Sequence, residues 1–173
     1  FKIEKNKNIE ERLREERVEF GILGHHDAST VKALGLHALQ HRGQESAGIV
    51  SYDNFYFHAE RRMGLVSDSF TDEKVLEGLS GSSAVGHVRY STTGSSILKN
   101  VQPLFADLSG GGLALAHNGN LTNGLTLREE LVRNGSIFQS TSDTETILQL
   151  IAKSKEKNIT SCFIDALYQV EGA

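Results

Sequence analysis

Two charged residues in this sequence stand at positions suited to binding charged groups of a ligand. Arg89 lies near the end of a predicted strand, where a guanidinium can hold a carboxylate through two parallel hydrogen bonds. Asp143 lies at the predicted start of a helix, where it can help to cap the helix and can also bind an ammonium group. An ordinary surface salt bridge and plain helix capping are the alternative interpretations of these positions.

Two further polar segments are candidates for chemistry. After a predicted strand, the Asn118 side-chain amide and the Gly119 N–H group can both point at one developing oxyanion, although Asn-Gly is also a common turn. After a predicted helix, Arg42 and Gly43 indicate either a helix-ending loop or a loop that grips a polar ligand.

The composition narrows the class of protein. The chain of 173 residues has one Cys and a formal net charge of -4, and no apolar run approaches the length of a membrane span. We therefore expect a cytoplasmic protein without a disulfide framework, a membrane partner or a nucleic-acid partner. His25 and His26 suggest a metal site, but adjacent histidines on a strand point to opposite faces, so we predict none. Cys162 is predicted to pack in a helix as a small apolar residue.

The hydrophobic pattern predicts the elements that must position these residues. Strands are predicted at 18–25, 47–53, 55–60, 84–90, 101–108 and 113–117, and helices at 29–40, 72–79 and 159–170. Two more helices are predicted from capping boxes, Thr126 with Glu129 and Ser142 with Glu145. Because helices flank groups of strands rather than alternating with them, the pattern favours a layered α+β sandwich over a doubly wound parallel sheet.

Four blocks of the sequence together resemble a known family. Leu36–Ile49, which contains Gln-His-Arg-Gly-Gln, is followed by Gly86–Gly94, Leu115–Asn123 and Ile137–Glu145, in the order found in the class-II glutamine amidotransferase domain of amidophosphoribosyltransferases. The resemblance spans residues 15–153. It implies an α+β fold of the N-terminal-nucleophile hydrolase type, a four-layer αββα sandwich of two stacked antiparallel sheets.

The resemblance also implies a function and a site. In this family the domain hydrolyses glutamine and passes ammonia to a phosphoribosyltransferase domain, which forms 5-phosphoribosylamine in the first step of de novo purine biosynthesis. The implied roles are Arg89 for the α-carboxylate, Asp143 for the α-ammonium, Asn118 and Gly119 for the oxyanion hole, and Arg42 and Gly43 for the loop that shapes the pocket.

The same resemblance sets the expected domain organisation. Residues 1–17 are rich in charges of both signs and are expected to form a propeptide-like leader, and residues 18–173 to form the amidotransferase domain. The phosphoribosyltransferase domain is expected to be missing from this chain, together with the Mg²⁺ that the family uses only there. We expect glutamine as the ligand, no cofactor or metal in this chain, and a homo-oligomer for the full-length protein.

The sequence departs from the family at the nucleophile. The family's mature chain begins Cys-Gly-Val-Phe-Gly-Ile, whereas this sequence reads Arg17-Val18-Glu19-Phe20-Gly21-Ile22. This alignment puts Arg17 at the nucleophile position. An alignment shifted by three residues puts Phe20 at that position instead, and neither alignment supplies a Cys. Because a guanidinium stays protonated and an internal residue has no free α-amine, we predict that glutaminase activity is lost. The alternatives are a non-catalytic module that binds glutamine or braces an oligomer, and an unrelated α+β domain that matches by chance.

Overall fold

The computed structural model describes residues 17–38, 44–90 and 97–172, with side chains from residue 19 onward. Four strands, β1 (Arg17–Leu23), β2 (Gln44–Tyr52), β3 (Phe57–Met63) and β4 (Ser83–Tyr90), form an antiparallel sheet in the order β1-β4-β2-β3. Arg89, near the end of β4, is paired with Arg17 of β1 on one side and with Ser46 of β2 on the other. Strand β1 thus includes Arg17, the residue that the sequence assigned to the leader.

The predicted strands at 47–53 and 55–60 place a hairpin turn around Asn54, and the turn between β2 and β3 confirms it. Asn54 adopts a φ of 77°, a left-handed conformation that Asn tolerates better than most residues. The Asp53 carboxylate accepts hydrogen bonds from the Phe55 and Tyr56 N–H groups at 2.9 and 2.6 Å. The Asp side chain therefore satisfies backbone groups that the turn leaves without a ladder partner.

A second antiparallel sheet is formed by β5 (Leu104–Leu108) and β6 (Gly111–Leu115). Its hairpin turn ends at Gly111, whose φ of 120° suits glycine. β5 starts later than the predicted strand at 101–108, because a 3₁₀ turn at Leu98–Asn100 precedes it and Pro103 has no N–H to donate to a ladder.

The helices of the described residues cover the outer faces of the two sheets. They are α1 (Ala28–Ala38), α2 (Val66–Ser69), α3 (Glu73–Glu77), α4 (Gly124–Arg133), α5 (Asp143–Lys153) and α6 (Ile159–Gln169). α1 packs on the first sheet around a core that includes Leu36, Ile49 and Val88. α4, α5 and α6 share a second core with β5 and β6, centred on Leu115 and Ile151. No described helix has the length and apolar character needed to cross a bilayer.

The inner faces of the two sheets pack against each other. The ring centroids of Phe57 on β3 and Phe105 on β5 are 4.9 Å apart. Gly48 on β2 comes so close to the segment that leads into β5 that a Cβ there would sit 2.2 Å from the Gln102 carbonyl oxygen. The layers run helix, sheet, sheet, helices, which confirms the predicted four-layer αββα sandwich of two stacked antiparallel sheets.

The face that α1 turns to the sheet differs from the prediction. Hydrophobic spacing predicts Val31, Leu34 and Ala38 on the inner side, but Leu34 is 63% exposed and Lys32 is fully buried. The side that carries Gly35 lies against β1, where a Cβ at Gly35 would sit 2.3 Å from the Phe20 ring. The buried face of α1 consists of Ala28, Ser29, Lys32, Ala33 and Leu36 instead.

The two predicted capping boxes have different outcomes. The box of Thr126 with Glu129 is wrong, because α4 already begins at Gly124 and Asn123 holds the N-cap position without a side-chain cap hydrogen bond. The start of α5 is confirmed, since Ser142 is its N-cap and the Ser142 Oγ accepts a hydrogen bond from the Thr144 N–H.

The three residues that were set aside in the sequence, His25, His26 and Cys162, all lie in the described part of the chain. β1 ends at Leu23, so His25 and His26 lie beyond the strand and stack with ring centroids 4.7 Å apart. The strand geometry that was predicted to separate the two histidines is therefore wrong. In the described part of the chain, no group of three or more His, Cys, Asp or Glu is arranged to hold a metal ion. Cys162 lies on α6 and packs, partly buried, against the second core, as predicted.

Candidate functional site

One cavity brings together residues that are far apart in the sequence. It has a volume of about 470 Å³ and opens where the end of β4, the segment 120–125 and the start of α5 meet. Its lining residues include two arginines, Arg89 and Arg128, and one acidic residue, Asp143. The fold therefore places Arg89 and Asp143, the two residues predicted to bind charged groups, around one space.

Asp143 is the first residue of α5, and its carboxylate is held by backbone groups on two sides. One oxygen, Oδ2, accepts a hydrogen bond from the Leu121 N–H at 3.0 Å. The other, Oδ1, accepts from the Thr144 N–H at 3.0 Å and lies 3.8 Å from the His117 Nδ1. These contacts fix the orientation of the carboxylate and tie the start of α5 to the segment that forms the opposite wall.

Arg89 brings positive charge to the cavity from the first sheet. It is partly buried near the end of β4, between β1 and β2. No carboxylate of the described residues forms an ion pair with its guanidinium. A guanidinium in a cavity wall with no carboxylate partner there is suited to binding a carboxylate of a ligand.

Gln102 connects the cavity with the Asn118-Gly119 turn. Its side chain is buried at 2% exposure, and Oε1 accepts a hydrogen bond from the His117 N–H at 2.7 Å. The Nε2 group donates to the His117 carbonyl at 3.4 Å. Gln102 thus holds both backbone groups of His117, directly before Asn118. Gln102 was not predicted as a site residue, because its local sequence shows only a polar residue inside the apolar run 101–105.

The segment 139–142 is held in place by two buried side chains. Glu145 accepts hydrogen bonds from the Gln139 N–H, the Ser140 N–H and the Ser140 hydroxyl at 2.8, 2.7 and 2.6 Å. Asn100 accepts from the Thr141 N–H at 2.9 Å and donates to the Thr141 Oγ1 at 2.8 Å. Asn100 and Thr141 both line the cavity, and sequence reasoning gave neither of them a role.

Arg128 supports the same segment from α4. Its Nη2 donates to the Ser140 carbonyl at 2.7 Å, and its guanidinium lies 3.9 Å from the centroid of the Phe138 ring. The stacking and the hydrogen bond hold Arg128 in the cavity wall beside the start of α5. Arg128 was not predicted, because its spacing in the sequence is that of an ordinary helix-surface residue.

The remaining predicted site residues are only partly described. Asn118 and Gly119 lie between β6 and α4, directly before the cavity residue Asn120, and neither is among the described residues that line the cavity. The backbone of Arg17 lies in β1, opposite Arg89. Arg42 and Gly43 lie outside the described residues.

Comparisons with known proteins agree on one family. The sequence profile of a glutamine amidotransferase domain matches residues 87–167. An amidophosphoribosyltransferase of Rhizobium etli is 59% identical over 160 residues, which cover 92% of this chain and 32% of the relative. An amidophosphoribosyltransferase of Lacticaseibacillus casei is 46% identical over 160 residues, which cover 92% of this chain and 82% of the relative.

A solved structure has the same fold. It is the structure of the allosteric regulatory enzyme of purine biosynthesis, and it superposes with a TM-score of 0.84 at 44% sequence identity. The match covers 90% of this chain and 33% of the solved chain. The predicted N-terminal-nucleophile hydrolase type of fold is confirmed by this likeness. The chain spans about a third of the length of this structure and of the Rhizobium etli relative.

Proposed function

The chain belongs to the amidophosphoribosyltransferase family, whose glutamine amidotransferase domain it matches, and from this membership we propose that it binds glutamine without hydrolysing it. One observation carries the proposal. Arg89 and Asp143 line a single cavity, and Arg17, which stands at the family's nucleophile position, is the β1 partner of Arg89. Directly paired residues on neighbouring antiparallel strands have Cα atoms about 4.5–5.5 Å apart, so the backbone of residue 17 lies next to that of Arg89, which lines the cavity.

The proposed binding mode uses the charges that the cavity offers. Arg89 binds the α-carboxylate of glutamine through charge-assisted hydrogen bonds, and Asp143 binds the α-ammonium group. The roles that the family resemblance implies complete the proposal: Asn118 and Gly119 would bind the side-chain amide oxygen, and Arg42 and Gly43 would also contact the ligand. The support for this arrangement is the opposite charge of Arg89 and Asp143 on walls of the same cavity.

The proposed loss of hydrolysis follows from the chemistry of position 17. Hydrolysis by this family needs a thiolate to attack the amide carbon and a free α-amine on the same residue to act as base. A guanidinium is protonated under all ordinary conditions and has no electron pair for attack. The oxyanion hole alone stabilises nothing, because without an attacking group no tetrahedral intermediate forms.

The proposal sets the place of this domain in a larger protein. A glutaminase domain of this family supplies ammonia for 5-phosphoribosylamine in purine biosynthesis, and we expect this cytoplasmic chain to supply none. In this proposal, the domain retains the binding of glutamine but not its hydrolysis. The second candidate is a purely structural module that braces an oligomer. The replacement of the family's Cys by Arg17 also favours this candidate. If it is correct, the chain binds no glutamine.

The test combines a binding measurement with a coupled assay for glutamate and ammonia. The unmodified chain should bind glutamine in a calorimetric titration and release no ammonia above background. A variant in which Arg17-Val18-Glu19 is replaced by Cys-Gly-Val, prepared so that the Cys carries a free α-amine, should recover glutaminase activity.

The matched control carries Ser-Gly-Val at the same positions, which keeps the backbone change and removes the thiol. It should remain inactive or far slower, since serine is the weaker nucleophile. Turnover by the unmodified chain, or none by a well-folded Cys-Gly-Val variant, would contradict the assignment of Arg17. Absence of glutamine binding by the unmodified chain would favour the structural module.

A further inference from the structure

The last described residues of the chain are attached to one wall of the cavity. We call residues 120–123 the cavity rim and residues 170–172 the C-terminal strap. The Thr122 N–H of the rim donates to the Glu171 carbonyl of the strap at 2.8 Å. Gly172 comes so close to the rim that a Cβ there would sit 2.8 Å from the Asn120 carbonyl oxygen. The rim and the strap therefore pack backbone against backbone.

Asn123 joins the rim to the strap through its side chain. Its Nδ2 donates to the Gln169 carbonyl at 2.9 Å, and its Oδ1 accepts from the Glu171 N–H at 3.0 Å. Asn at an N-cap position ordinarily accepts a hydrogen bond from its own helix, but Asn123 makes no such bond. Both polar groups of its amide hold the end of α6 and the strap instead.

The opposite side of the rim is attached to the charged part of the site. The Leu121 N–H donates to the Asp143 carboxylate at 3.0 Å, and the Leu121 side chain is buried in the second core. The rim is therefore held between Asp143 on the cavity side and the strap on the outer side. The short segment from Asn123 to Leu121 therefore gives a direct path from the strap to Asp143.

We propose that Asn123 is a positioning residue that couples the C-terminal strap to the glutamine cavity, so that displacing the strap weakens glutamine binding. This inference rests on the proposed function for its effect on affinity. The coupling between strap and rim is a property of the chain without ligand, and it can be measured separately.

Two substitutions break the coupling from its two ends. Asn123→Ala removes both side-chain hydrogen bonds. Gly172→Ala drives the strap away from the rim, because it places a Cβ against a backbone oxygen at a residue with a φ of 84°.

Each substitution has a matched control. Gly135→Ala imposes the same backbone strain at a φ of 83°, but a Cβ there meets nothing within 4 Å. Asn158→Ala removes the N-cap of α6, where the Asn158 Oδ1 accepts from the Ser161 N–H at 2.9 Å, and leaves the strap contacts intact. The controls reproduce a loss of stability without touching the rim.

The first measurement is amide hydrogen exchange without glutamine. We expect Asn123→Ala and Gly172→Ala to accelerate exchange of the Thr122 N–H by about fivefold or more, and that of the Leu121 N–H in the same direction. Gly135→Ala and Asn158→Ala should leave the difference in exchange rate between these two N–H groups and the N–H groups of α4 unchanged. Unaltered exchange at Thr122 and Leu121 in Asn123→Ala would overturn the coupling.

The second measurement is glutamine affinity by calorimetry. Asn123→Ala and Gly172→Ala should each raise the Kd for glutamine by about fivefold. The double variant should raise the Kd by clearly less than the product of the two single effects, because both substitutions break the same contact between strap and rim. An equal loss in the two controls, or an additive double variant, would overturn the proposal. If the unmodified chain binds no glutamine, the proposed function fails, and the exchange rates alone decide whether strap and rim are coupled.

Discussion

Arg89 gives the most direct test of the proposed contact with the glutamine carboxylate. Arg89→Ala should raise the Kd for glutamine at least about tenfold, because a charge-assisted hydrogen bond contributes roughly 1.5–3 kcal/mol. The Kd of Arg89→Lys should lie between those of the parental protein and Arg89→Ala, since lysine keeps the charge but cannot make two parallel hydrogen bonds. Isothermal titration calorimetry measures all three proteins. Arg133→Ala, an exposed arginine in the last turn of α4, is the matched control. Arg89→Ala with the parental affinity would remove Arg89 from the site.

Single residues of the site differ in how far the sequence could predict them. Arg89 and Asp143 were predicted from residue type and position, a strand end and a helix start; both line one cavity, and their binding roles stay predictions. Gln102 and Asn100 were not found, because they act through the distant segments at His117 and Thr141. A side chain that supports a remote loop has no local pattern, so only the tertiary contact reveals it.

Lys32 is a buried cation, and its charge should make the free energy of unfolding depend on pH. It is 0% exposed on α1, its Nζ has no hydrogen-bond partner among the described residues, and it lies 4.3 Å from the Phe20 ring centroid. Burial lowers the pKa of the Lys32 ammonium from the ordinary 10.5 to about 8, because the charged form loses its hydration. Between these two pH values the unfolded state binds more protons, so the contribution of Lys32 to stability rises with pH.

Lys32→Met should therefore be the more stable protein at neutral pH, by up to about 3 kcal/mol in the free energy of unfolding. Its advantage is complete below pH 8, where Lys32 is charged in both states, and shrinks as the pH approaches 10.5. Urea unfolding of both proteins at pH 7 and pH 9.5 measures the change. Lys74→Met, at an exposed lysine of α3, should show no such trend. An advantage that stays constant with pH would contradict the prediction.

At the scale of elements, the start of α5 depends on Glu145. Its carboxylate accepts three hydrogen bonds from residues 139–140 and is only 7% exposed. Glu145→Ala should lower the free energy of unfolding by about 2–3 kcal/mol, because it leaves buried donors unsatisfied. Denaturant unfolding tests this, with Glu129→Ala on the exposed side of α4 as control. Similar midpoints for the two variants would show that residues 139–142 do not depend on Glu145.

The helices show where local sequence signals suffice and where they fail. Ser142 and Glu145 correctly marked the start of α5, although Glu145 reaches back to Gln139 and Ser140. Thr126 failed to mark α4, because Asn123 serves the strap and the helix starts before Thr126. The prediction of the inner face of α1 was wrong for a related reason. Gly35 lies so close to the Phe20 ring that a Cβ would not fit, and this contact with the partner surface is not visible in the hydrophobic spacing of the helix.

At the scale of the whole molecule, the sequence predicted the layers but not how they are stacked. Groups of strands flanked by helices favour a layered α+β sandwich, and the family resemblance supplied the number of layers. The spacing between the sheets depends on a few close contacts, such as Phe57 with Phe105 and Gly48 with Gln102. These pairs join residues far apart in the chain, so no periodicity within one strand reports them.

Gly48 should therefore be the position where a single methyl group disturbs both the fold and the site. A Cβ at Gly48 would sit 2.2 Å from the Gln102 carbonyl oxygen, a backbone atom that cannot move without shifting the second sheet. Gly48→Ala should lower the free energy of unfolding by about 1–3 kcal/mol, the usual effect of overpacking. Because the Gln102 side chain holds both backbone groups of His117, the same substitution should also weaken glutamine binding. Gly21→Ala on β1, where a Cβ meets nothing within 4 Å, should leave both properties near the parental values. Equal stability and equal glutamine affinity for Gly48→Ala and Gly21→Ala would show that the spacing of the two sheets adapts to the added methyl group.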